Sequence, residues 1–186
     1  MDFKPLFTGR LVRLAAPQPD DHLHFAKWSE NDEYLRVMDN DPARPQSAQA
    51  HQLWEQSFSG ASNLFFFRLR TLSDDTLIGL AALGDVHLTN HTASLGIAIS
   101  DPAYWSKGYG TDAMRLIVGY GFRELNLHRI TSSTISYNVR SIKVHEKVGF
   151  KHEGIQRESI QREGQRYDVI HFGILRSEWE ALSRLD

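Results

Sequence analysis

The chain has 186 residues, 41% of them hydrophobic and 24% charged, which is typical of one globular domain with one continuous core. Its formal net charge of -2 gives no general electrostatic attraction to nucleic acid or anionic membranes, and no segment approaches the roughly 18 consecutive apolar residues of a membrane span. The absence of cysteine excludes disulfides, thiolate metal sites and a cysteine acyl-enzyme. We expect a single domain over residues 1–186, located in the cytoplasm, that binds neither nucleic acid nor membrane.

The first third of the chain is predicted to form one strand and two short helices. Residues 10–16 mix apolar and basic side chains as a first strand does, and the acidic end of residues 17–21 is typical of a helix start. Apolar residues then recur at irregular helical spacings over residues 21–59, interrupted by residues 39–45. We therefore expect two helices joined by a loop.

The middle of the chain predicts an antiparallel meander followed by a long helix. Strand-like runs occupy residues 64–70, 76–88 and 93–100, and turn-forming residues separate them. Over residues 110–124 the apolar positions change to helical spacing. The last strand of the meander therefore leads towards a helix.

The last third predicts a strand at residues 128–137, a helix at 139–148 that ends at Gly149, and a hairpin of strands 150–160 and 165–175. The long helix returns the chain to the sheet, so one pair of neighbouring strands is expected to be parallel. The predicted fold class is therefore α/β of the α+β type, with a mixed and mostly antiparallel sheet.

A glycine-rich turn before the long helix is the most informative segment. Gly108 and Gly110 permit a tight turn and leave backbone N–H groups uncovered at the positive end of the helix, which suits a pyrophosphate. Lys107 adds a cation. A glycine-rich helix start without a ligand is the alternative, because short glycine patterns recur by chance.

Two other phosphate-binding motifs fit this turn less well. A Walker loop needs its lysine after the glycines, whereas Lys107 precedes both of them. Residues 108–113 match a dinucleotide-binding pattern, but residues 101–107 separate the preceding strand from the first glycine. A nicotinamide enzyme is therefore the least favoured interpretation.

Two segments resemble one known family, the GNAT N-acetyltransferases. Residues 105–110 are similar to its acyl-CoA pyrophosphate loop, in which Gln or Arg usually stands at the position of Trp105. Residues 138–150, which begin with Asn and close on Gly-Phe, resemble a later helix of the family. The resemblance extends over residues 10–179, and residues 8–14 look like the first strand of the branch that includes ribosomal-protein N-terminal and spermidine acetyltransferases.

The resemblance implies the GNAT fold, in which about seven strands form a sheet with a central V-shaped splay and flanking helices. It also implies acetyl-CoA as the cosubstrate, with its pantetheine paired to the strand before the glycine turn. A backbone N–H of Ala98 or Ile99 is expected to stabilise the oxyanion of a tetrahedral intermediate. By position, the implied acetyl-CoA contacts are Ile97, Ala98, Ile99, Trp105, Lys107, Gly108, Tyr109, Gly110, Thr111, Asn138 and Ser141.

The helix after Asn138 carries the candidate catalytic residues. Asn138 itself has two interpretations, a helix cap through its side chain and a CoA contact implied by the resemblance. Ser141 and His145 are four positions apart and share one helix face. The family often has a tyrosine at the position of His145, where it protonates the CoA thiolate; an imidazole of pKa about 6.5 can donate to a thiolate of pKa about 8.5. We expect His145, or Ser141 in its place, to be the proton donor.

The sequence does not identify the acceptor amine or the base that deprotonates it. Asp85, His87 and His91 are candidates for the base, although all three are also typical turn residues, and they form no metal-ligand pattern, so no metal is predicted. The resemblance implies that the acceptor lies between the first helical segment and the last hairpin. Carboxylates on these elements would attract a cationic amine or simply form a solvated surface. They are Asp20, Asp21, Glu30, Asp32, Glu33, Asp39, Asp41, Glu153, Glu158, Glu163 and Asp168.

The resemblance implies an enzyme that transfers an acetyl group from acetyl-CoA to a primary amine, such as a protein N-terminus, a polyamine or another small amine, by direct attack within a ternary complex. A catalytically silent acyl-CoA-binding protein of the same fold is the alternative, because Trp105 and His145 depart from the family pattern. A homodimer is a candidate assembly.

Overall fold

The structure is a computed structural model that describes residues 5–58 and 60–183. Within these ranges the chain forms seven strands and six α-helices, together with a 3-10 turn at Pro102–Tyr104. The elements are β1 (Val12–Ala15), α1 (Asp21–Trp28), α2 (Asp32–Met38), α3 (Ala48–Gln56), β2 (Phe65–Thr71), β3 (Leu77–His87), β4 (Thr92–Ile99), α4 (Tyr109–Arg123), β5 (Arg129–Ile135), α5 (Val139–Val148), β6 (Lys151–Arg162), β7 (Gln165–Leu175) and α6 (Arg176–Ser183).

The seven strands form one sheet in the order β1-β2-β3-β4-β5-β7-β6. Every neighbouring pair is antiparallel except β4 and β5, which are parallel and are connected through α4. The predicted mixed and mostly antiparallel sheet is therefore confirmed. A helical crossover is needed between β4 and β5 because a tight turn can only join antiparallel strands.

The region before β2 contains three helices, so the prediction of two was wrong. α1 ends at Trp28, and Asn31 starts α2, where its side chain accepts a hydrogen bond from the N–H of Tyr34 at 2.9 Å. The break contains neither glycine nor proline, so hydrophobic spacing alone did not reveal it. The predicted helical region extended to Ser59, which lies outside the described residues, and α6 was not predicted.

Helices cover both faces of the sheet. Leu80 and Ala81 are neighbours in β3, and successive residues of a strand point to opposite faces. Ala81 belongs to a buried cluster with Ile117 of α4, whereas Leu80 belongs to a second cluster with Phe25 of α1 and Tyr34 of α2. The long central helix and the N-terminal helices therefore lie on opposite faces, with β3 between them.

The start of α4 is fixed to the start of β1 by Asp112. Its carboxylate accepts hydrogen bonds from the backbone N–H groups of Arg10, Leu11 and Val12 at 2.7–3.0 Å. A carboxylate in the first turn also interacts favourably with the positive end of the helix. The hydrogen bonds of the Asp112 carboxylate thus hold the start of α4, and the glycine turn that precedes it, next to β1.

The parallel pair at the centre of the sheet separates soon after it begins. β4 and β5 pair over residues 92–94 and 129–131, and Ser132 Oγ then donates to the carbonyl oxygen of Leu95 at 3.1 Å. Beyond this point the two strands make no further pairs within the described ranges, which gives the V-shaped splay predicted from the sequence. No helix formed by residues 5–58 or 60–183 is long and apolar enough to cross a membrane.

Candidate active site

A cavity of about 840 Å³ lies where β4 and β5 separate. Residues 94–99 of β4 and residues 132–135 of β5 form two of its walls. Parts of the glycine turn, residues 104–111, and of α5 complete the side nearest α4, and residues 37–40 at the end of α2 contribute the remaining side. The cavity therefore brings together elements from both halves of the chain.

The backbone of β4 offers hydrogen-bonding groups to this cavity. The carbonyl oxygen of Leu95 points into the gap, since it accepts the hydrogen bond from Ser132. The carbonyl oxygen of Ile99 points the same way and accepts a hydrogen bond from Trp105 Nε1 at 2.6 Å. Because backbone direction alternates along a strand, the N–H and C=O of Ile97 also face the gap. A ligand that carries amides can pair with these groups.

Ala98 has the opposite backbone orientation. A Cβ placed on Gly79 would lie 2.0 Å from the carbonyl oxygen of Ala98, so this oxygen faces β3, where Ala98 pairs with Leu80. The N–H of Ile99 therefore points to the cavity and the N–H of Ala98 to the neighbouring strand. Of the two predicted oxyanion donors, this geometry favours Ile99.

The start of α4 presents unpaired N–H groups beside the same cavity. The first hydrogen bond of the helix joins the N–H of Asp112 to the carbonyl oxygen of Gly108 at 3.0 Å, so residues 109–111 have no carbonyl of their own helix to bind. Gly108 has a φ of 92°, which a residue with a side chain rarely adopts. The turn therefore has the N–H cradle and the positive helix end that suit a pyrophosphate.

Three cations of α5 also line the cavity, and the sequence analysis missed them. Arg140, Lys143 and Lys147 lie on one face of the helix at spacings of three and four positions. This spacing could have revealed the cations from the sequence, because it places basic residues on the helix face that holds Ser141 and Val144. The cations add positive charge to the side of the cavity nearest α4, where α4 and α5 pack together.

Trp105 ties the glycine turn to its neighbours. Its indole N–H binds the carbonyl oxygen of Ile99, and its ring lies 4.1 Å from the guanidinium carbon of Arg140. Arg140 also pairs with Glu33 of α2 at 2.7 Å. Trp105 thus holds β4, α5 and the turn together at the position where the family usually has Gln or Arg.

Asn138 caps α5 and connects it to α2. Its side-chain oxygen accepts from the N–H of Ser141 at 3.2 Å, and its side-chain nitrogen donates to the carbonyl oxygen of Val37 at 3.2 Å. The residue also lines the cavity. The helix cap is therefore present, and Asn138 also lies where a bound ligand would contact it.

His145 is buried in the cavity wall, with 1% of its surface exposed. Its Nδ1 lies 2.8 Å from the carbonyl oxygen of Ser141, and its Nε2 lies 2.9 Å from Ser132 Oγ. The ring stacks on Phe172 at a centroid distance of 4.6 Å and meets the edge of Phe150 at 5.3 Å. Both ring nitrogens therefore have partners within the protein.

These contacts define the protonation of His145. A carbonyl oxygen can only accept, so Nδ1 carries a proton, and in the neutral ring Nε2 is the unprotonated nitrogen that faces Ser132 Oγ. Burial lowers the pKa of His145, and the hydrogen bond to the Ser141 carbonyl offsets this only in part. The imidazole is therefore neutral at pH 7.

Most of the predicted ligand contacts and catalytic residues come together at the cavity wall. Lys107 and Tyr109 are not part of its lining: Lys107 is exposed, and Tyr109 packs edge-to-face on Tyr104 at 5.0 Å. The predicted residues that line the cavity are Ile97, Ala98, Ile99, Trp105, Gly108, Gly110, Thr111, Asn138, Ser141 and His145.

The base candidates lie outside the cavity, and their positions fit the alternative interpretation as turn residues. Asp85, His87 and His91 lie at the end of β3 and in the turn before β4, and none of them lines the cavity. β3 and β4 are antiparallel, so this turn lies at the beginning of β4, whereas the splay opens towards the end of β4. Among the described residues no group of three or more His, Cys, Asp and Glu could hold a metal ion.

Some of the carboxylates that were predicted to attract the acceptor amine form ion pairs within the protein instead. Asp21 is buried and pairs with Arg68 at 3.1 Å and with Arg70, so it belongs to the packing of α1 on β2. Glu153 pairs with Arg129. Among the described residues, Asp39 lines the large cavity, and Asp32, Glu33 and Glu163 line a smaller neighbouring one of about 430 Å³.

Comparison with known proteins identifies one relative that matches most of the chain and another that matches somewhat more than half of it. The SPbeta prophage-derived N-acetyltransferase YokL of Bacillus subtilis is 32% identical over 174 residues, which cover 94% of this chain and 95% of YokL. Spermidine N(1)-acetyltransferase of Escherichia coli is 31% identical over 108 residues, or 58% of each chain. The fold matches a crystal structure of spermidine N-acetyltransferase from Vibrio cholerae in complex with CoA and spermine, with a TM-score of 0.81, 22% identity and coverage of 91% of this chain and 98% of that one.

Residues 11–151 match the family profile of the acetyltransferase (GNAT) domain. This match includes both segments that carried the resemblance in the sequence, and the described fold has the splayed parallel pair that the resemblance implied. The resemblance is therefore confirmed, and the chain belongs to the GNAT family of acetyl-CoA-dependent N-acetyltransferases.

Proposed function

We propose that the enzyme transfers the acetyl group of acetyl-CoA to a primary amine by direct attack within a ternary complex formed in the cavity between β4 and β5. The amine of a protein N-terminus, a polyamine or another small molecule would serve as the acceptor. The observation that carries this proposal is the arrangement of free N–H groups at the start of α4 next to Lys143 and Lys147. Acetyl-CoA, which carries both phosphates and amides, fits this arrangement.

The donor would bind along three sets of groups. Its phosphates would lie against the N–H groups of residues 109–111, with Lys143 and Lys147 supplying counter-charge. Its pantetheine amides would pair with the backbone of Ile97. The thioester oxygen would then lie at the N–H of Ile99, which would stabilise the oxyanion formed when the amine nitrogen attacks the carbonyl carbon.

The remaining steps concern protons and the leaving group. The ammonium group loses one proton to solvent, and the neutral amine forms the new C–N bond. The C–S bond then breaks, the nitrogen gives up its second proton, and the thiolate takes up a proton. Ser141 and His145 stay our candidates for this last step. Ser141 lines the cavity and its hydroxyl oxygen lies 3.4 Å from Nδ1 of buried His145, so the Ser141 hydroxyl would donate a hydrogen bond to the thiolate, with His145 positioning it.

A catalytically silent acyl-CoA-binding protein is the second candidate. Its support is His145, which is neutral and enclosed at the position where the family often has a catalytic tyrosine. The nicotinamide alternative has no such support, since a 3-10 turn, Pro102–Tyr104, separates β4 from the first glycine. The cytoplasmic location, the single domain over residues 1–186 and the homodimer stay predictions.

The test combines two measurements on the same protein. Thiol release from acetyl-CoA would be followed with peptide N-termini, polyamines and other small amines, while acetyl-CoA binding is measured by calorimetry. We expect binding, and release with at least one class of amine. Binding without release from any amine would favour the silent protein, and no binding would contradict both candidates.

A further inference from the structure

The large cavity has different charge on its two sides. Lys143 and Lys147 line it next to α4, where the donor phosphates are proposed to bind. On the side formed by the end of α2, Asp39 is the only acidic residue among the described residues that line this cavity. An ammonium group would therefore be drawn to the α2 side and a phosphate to the α4 side.

Asp39 is held in place and keeps one oxygen available. It follows α2 in an extended conformation, and its Oδ1 accepts hydrogen bonds from the N–H groups of Asn40 at 2.6 Å and Asp41 at 3.4 Å. Its Oδ2 accepts no hydrogen bond from any of the described residues. One carboxylate oxygen thus orders the loop and the other can receive a ligand.

Arg162 of β6 supports the same loop from outside the cavity. Its Nη2 lies 3.3, 2.9 and 3.0 Å from the carbonyl oxygens of Asp39, Asn40 and Asp41. The guanidinium therefore fixes the backbone that carries Asp39 against the β6–β7 hairpin. The position of the carboxylate is set by this contact as well as by the end of α2.

Two acidic residues of the smaller neighbouring cavity have cationic partners. In the smaller neighbouring cavity, Glu33 pairs with Arg140 at 2.7 Å. Glu163 pairs there with Arg36 at 2.7 Å. The formal charges of this lining cancel, because three acidic residues face three arginines: Asp32, Glu33 and Glu163 against Arg36, Arg140 and Arg162.

The wall around Asp39 is largely uncharged. Apolar side chains from α2, β5 and β7 line the cavity there, namely Val37, Met38, Ile135 and Val169. Among the described residues that line this cavity, a second or third cation of a ligand would find no further carboxylate. Burying a charge without a partner is costly, so a polycation would bind poorly.

We propose that Asp39 binds the ammonium group of the acceptor, and that the acceptor is a primary amine with a single positive charge on an apolar, uncharged body. This inference rests on the proposed function in so far as the acceptor enters the large cavity. Two sources carry this chemistry, a small alkylamine and a peptide N-terminus with uncharged side chains. A polyamine is the acceptor class that the charge distribution opposes.

Calorimetry on the protein saturated with CoA tests the proposal without requiring turnover. The probes are hexylamine, a tripeptide amide with apolar side chains, and spermidine; the variants are Asp39→Asn and, as the matched control, Asp41→Asn. We expect hexylamine or the tripeptide to bind, with a Kd that rises about tenfold or more in Asp39→Asn and stays unchanged in Asp41→Asn. Spermidine should bind no more tightly than the preferred monoamine, and comparison of hexylamine with the tripeptide identifies the source.

Three results would overturn the proposal: no binding by either monoamine, equal affinity in Asp39→Asn and the unmodified protein, or spermidine binding about tenfold more tightly than both monoamines. Thiol release is followed in parallel. Binding that depends on Asp39, without release from any amine, would contradict the proposed function and leave the assignment of Asp39 standing.

Discussion

The Nε2 atom of His145 lies 2.9 Å from the hydroxyl oxygen of Ser132, and this contact joins α5 to β5 where β5 separates from β4. The same hydroxyl donates to the carbonyl oxygen of Leu95. A serine hydroxyl has one proton, so neutral His145 and Leu95 compete for it. A protonated His145 would instead donate to Ser132 and leave the hydroxyl proton to Leu95.

The pH dependence of stability should report the burial of His145. Its pKa is lowered in the folded protein, whereas in the unfolded chain it is about 6.5. Below that value the unfolded chain binds a proton that the folded protein does not, so the free energy of unfolding falls as the pH decreases. Urea unfolding at several pH values should show this slope, with up to about 1.4 kcal/mol per pH unit from one group.

The variant His145→Gln should reduce this slope, and His51→Gln should reduce it further, because burial also lowers the pKa of His51. The exchange His87→Gln, at an exposed position in β3, is the control for the substitution itself. An unchanged slope in His145→Gln would show that its protonation does not differ between the folded and unfolded states.

Loss of the Ser141 hydroxyl should reduce turnover without weakening donor binding. We expect kcat to fall about 10–100-fold in Ser141→Ala, since a lost proton or hydrogen-bond donor has an effect of this order or larger. Thiol release gives kcat, and calorimetry gives the Kd of acetyl-CoA. Ser159→Ala, on the exposed strand β6, is the control, and unchanged turnover in the double variant Ser141→Ala, His145→Ala would contradict both assignments.

Removal of the α5 lysines should weaken acetyl-CoA binding. We expect the Kd to rise about 3–10-fold in Lys143→Ala and in Lys147→Ala, and the effect to shrink at high salt because exposed charges are screened. Lys107→Ala, outside the cavity lining, should have a smaller effect. Arg115→Ala, on the exposed side of α4, serves as the control. If the Kd of acetyl-CoA rose as much in Arg115→Ala as in Lys143→Ala, the effect would be one of overall charge and would contradict a local contact.

A side chain at Gly79 should disturb the sheet beside the cavity. Its Cβ would lie 2.0 Å from a backbone oxygen of β4, and strand backbones cannot move apart without losing their pairing. We expect Gly79→Ala to lower the free energy of unfolding by at least about 2 kcal/mol. Gly154→Ala, where nothing lies within 4 Å of the added atom, should have little effect in the same unfolding experiment, and equal losses would contradict the steric explanation.

The sequence predicted those parts of the protein that depend on local patterns. The sheet, α4 and α5 were predicted close to their observed bounds. The signals were the glycines at 108 and 110, the strand-like runs and Gly149, which ends α5. The burial of His145 in α5 could not be predicted, because it depends on Phe172 of β7, which lies 27 positions further along the chain (172 − 145). Asp39 likewise gained its place in the cavity from the contact between two distant segments.

Arg162 contacts a loop that lies 121–123 positions earlier in the chain. The proposed donor side of the cavity is formed by one continuous stretch, from β4 through α5, whereas the proposed acceptor side depends on the loop after α2 and the β6–β7 hairpin. Substitutions in those two outlying segments can change which amine is accepted while the thioester chemistry is retained. Relatives with the same donor machinery could in this way diverge towards different acceptors through few mutations.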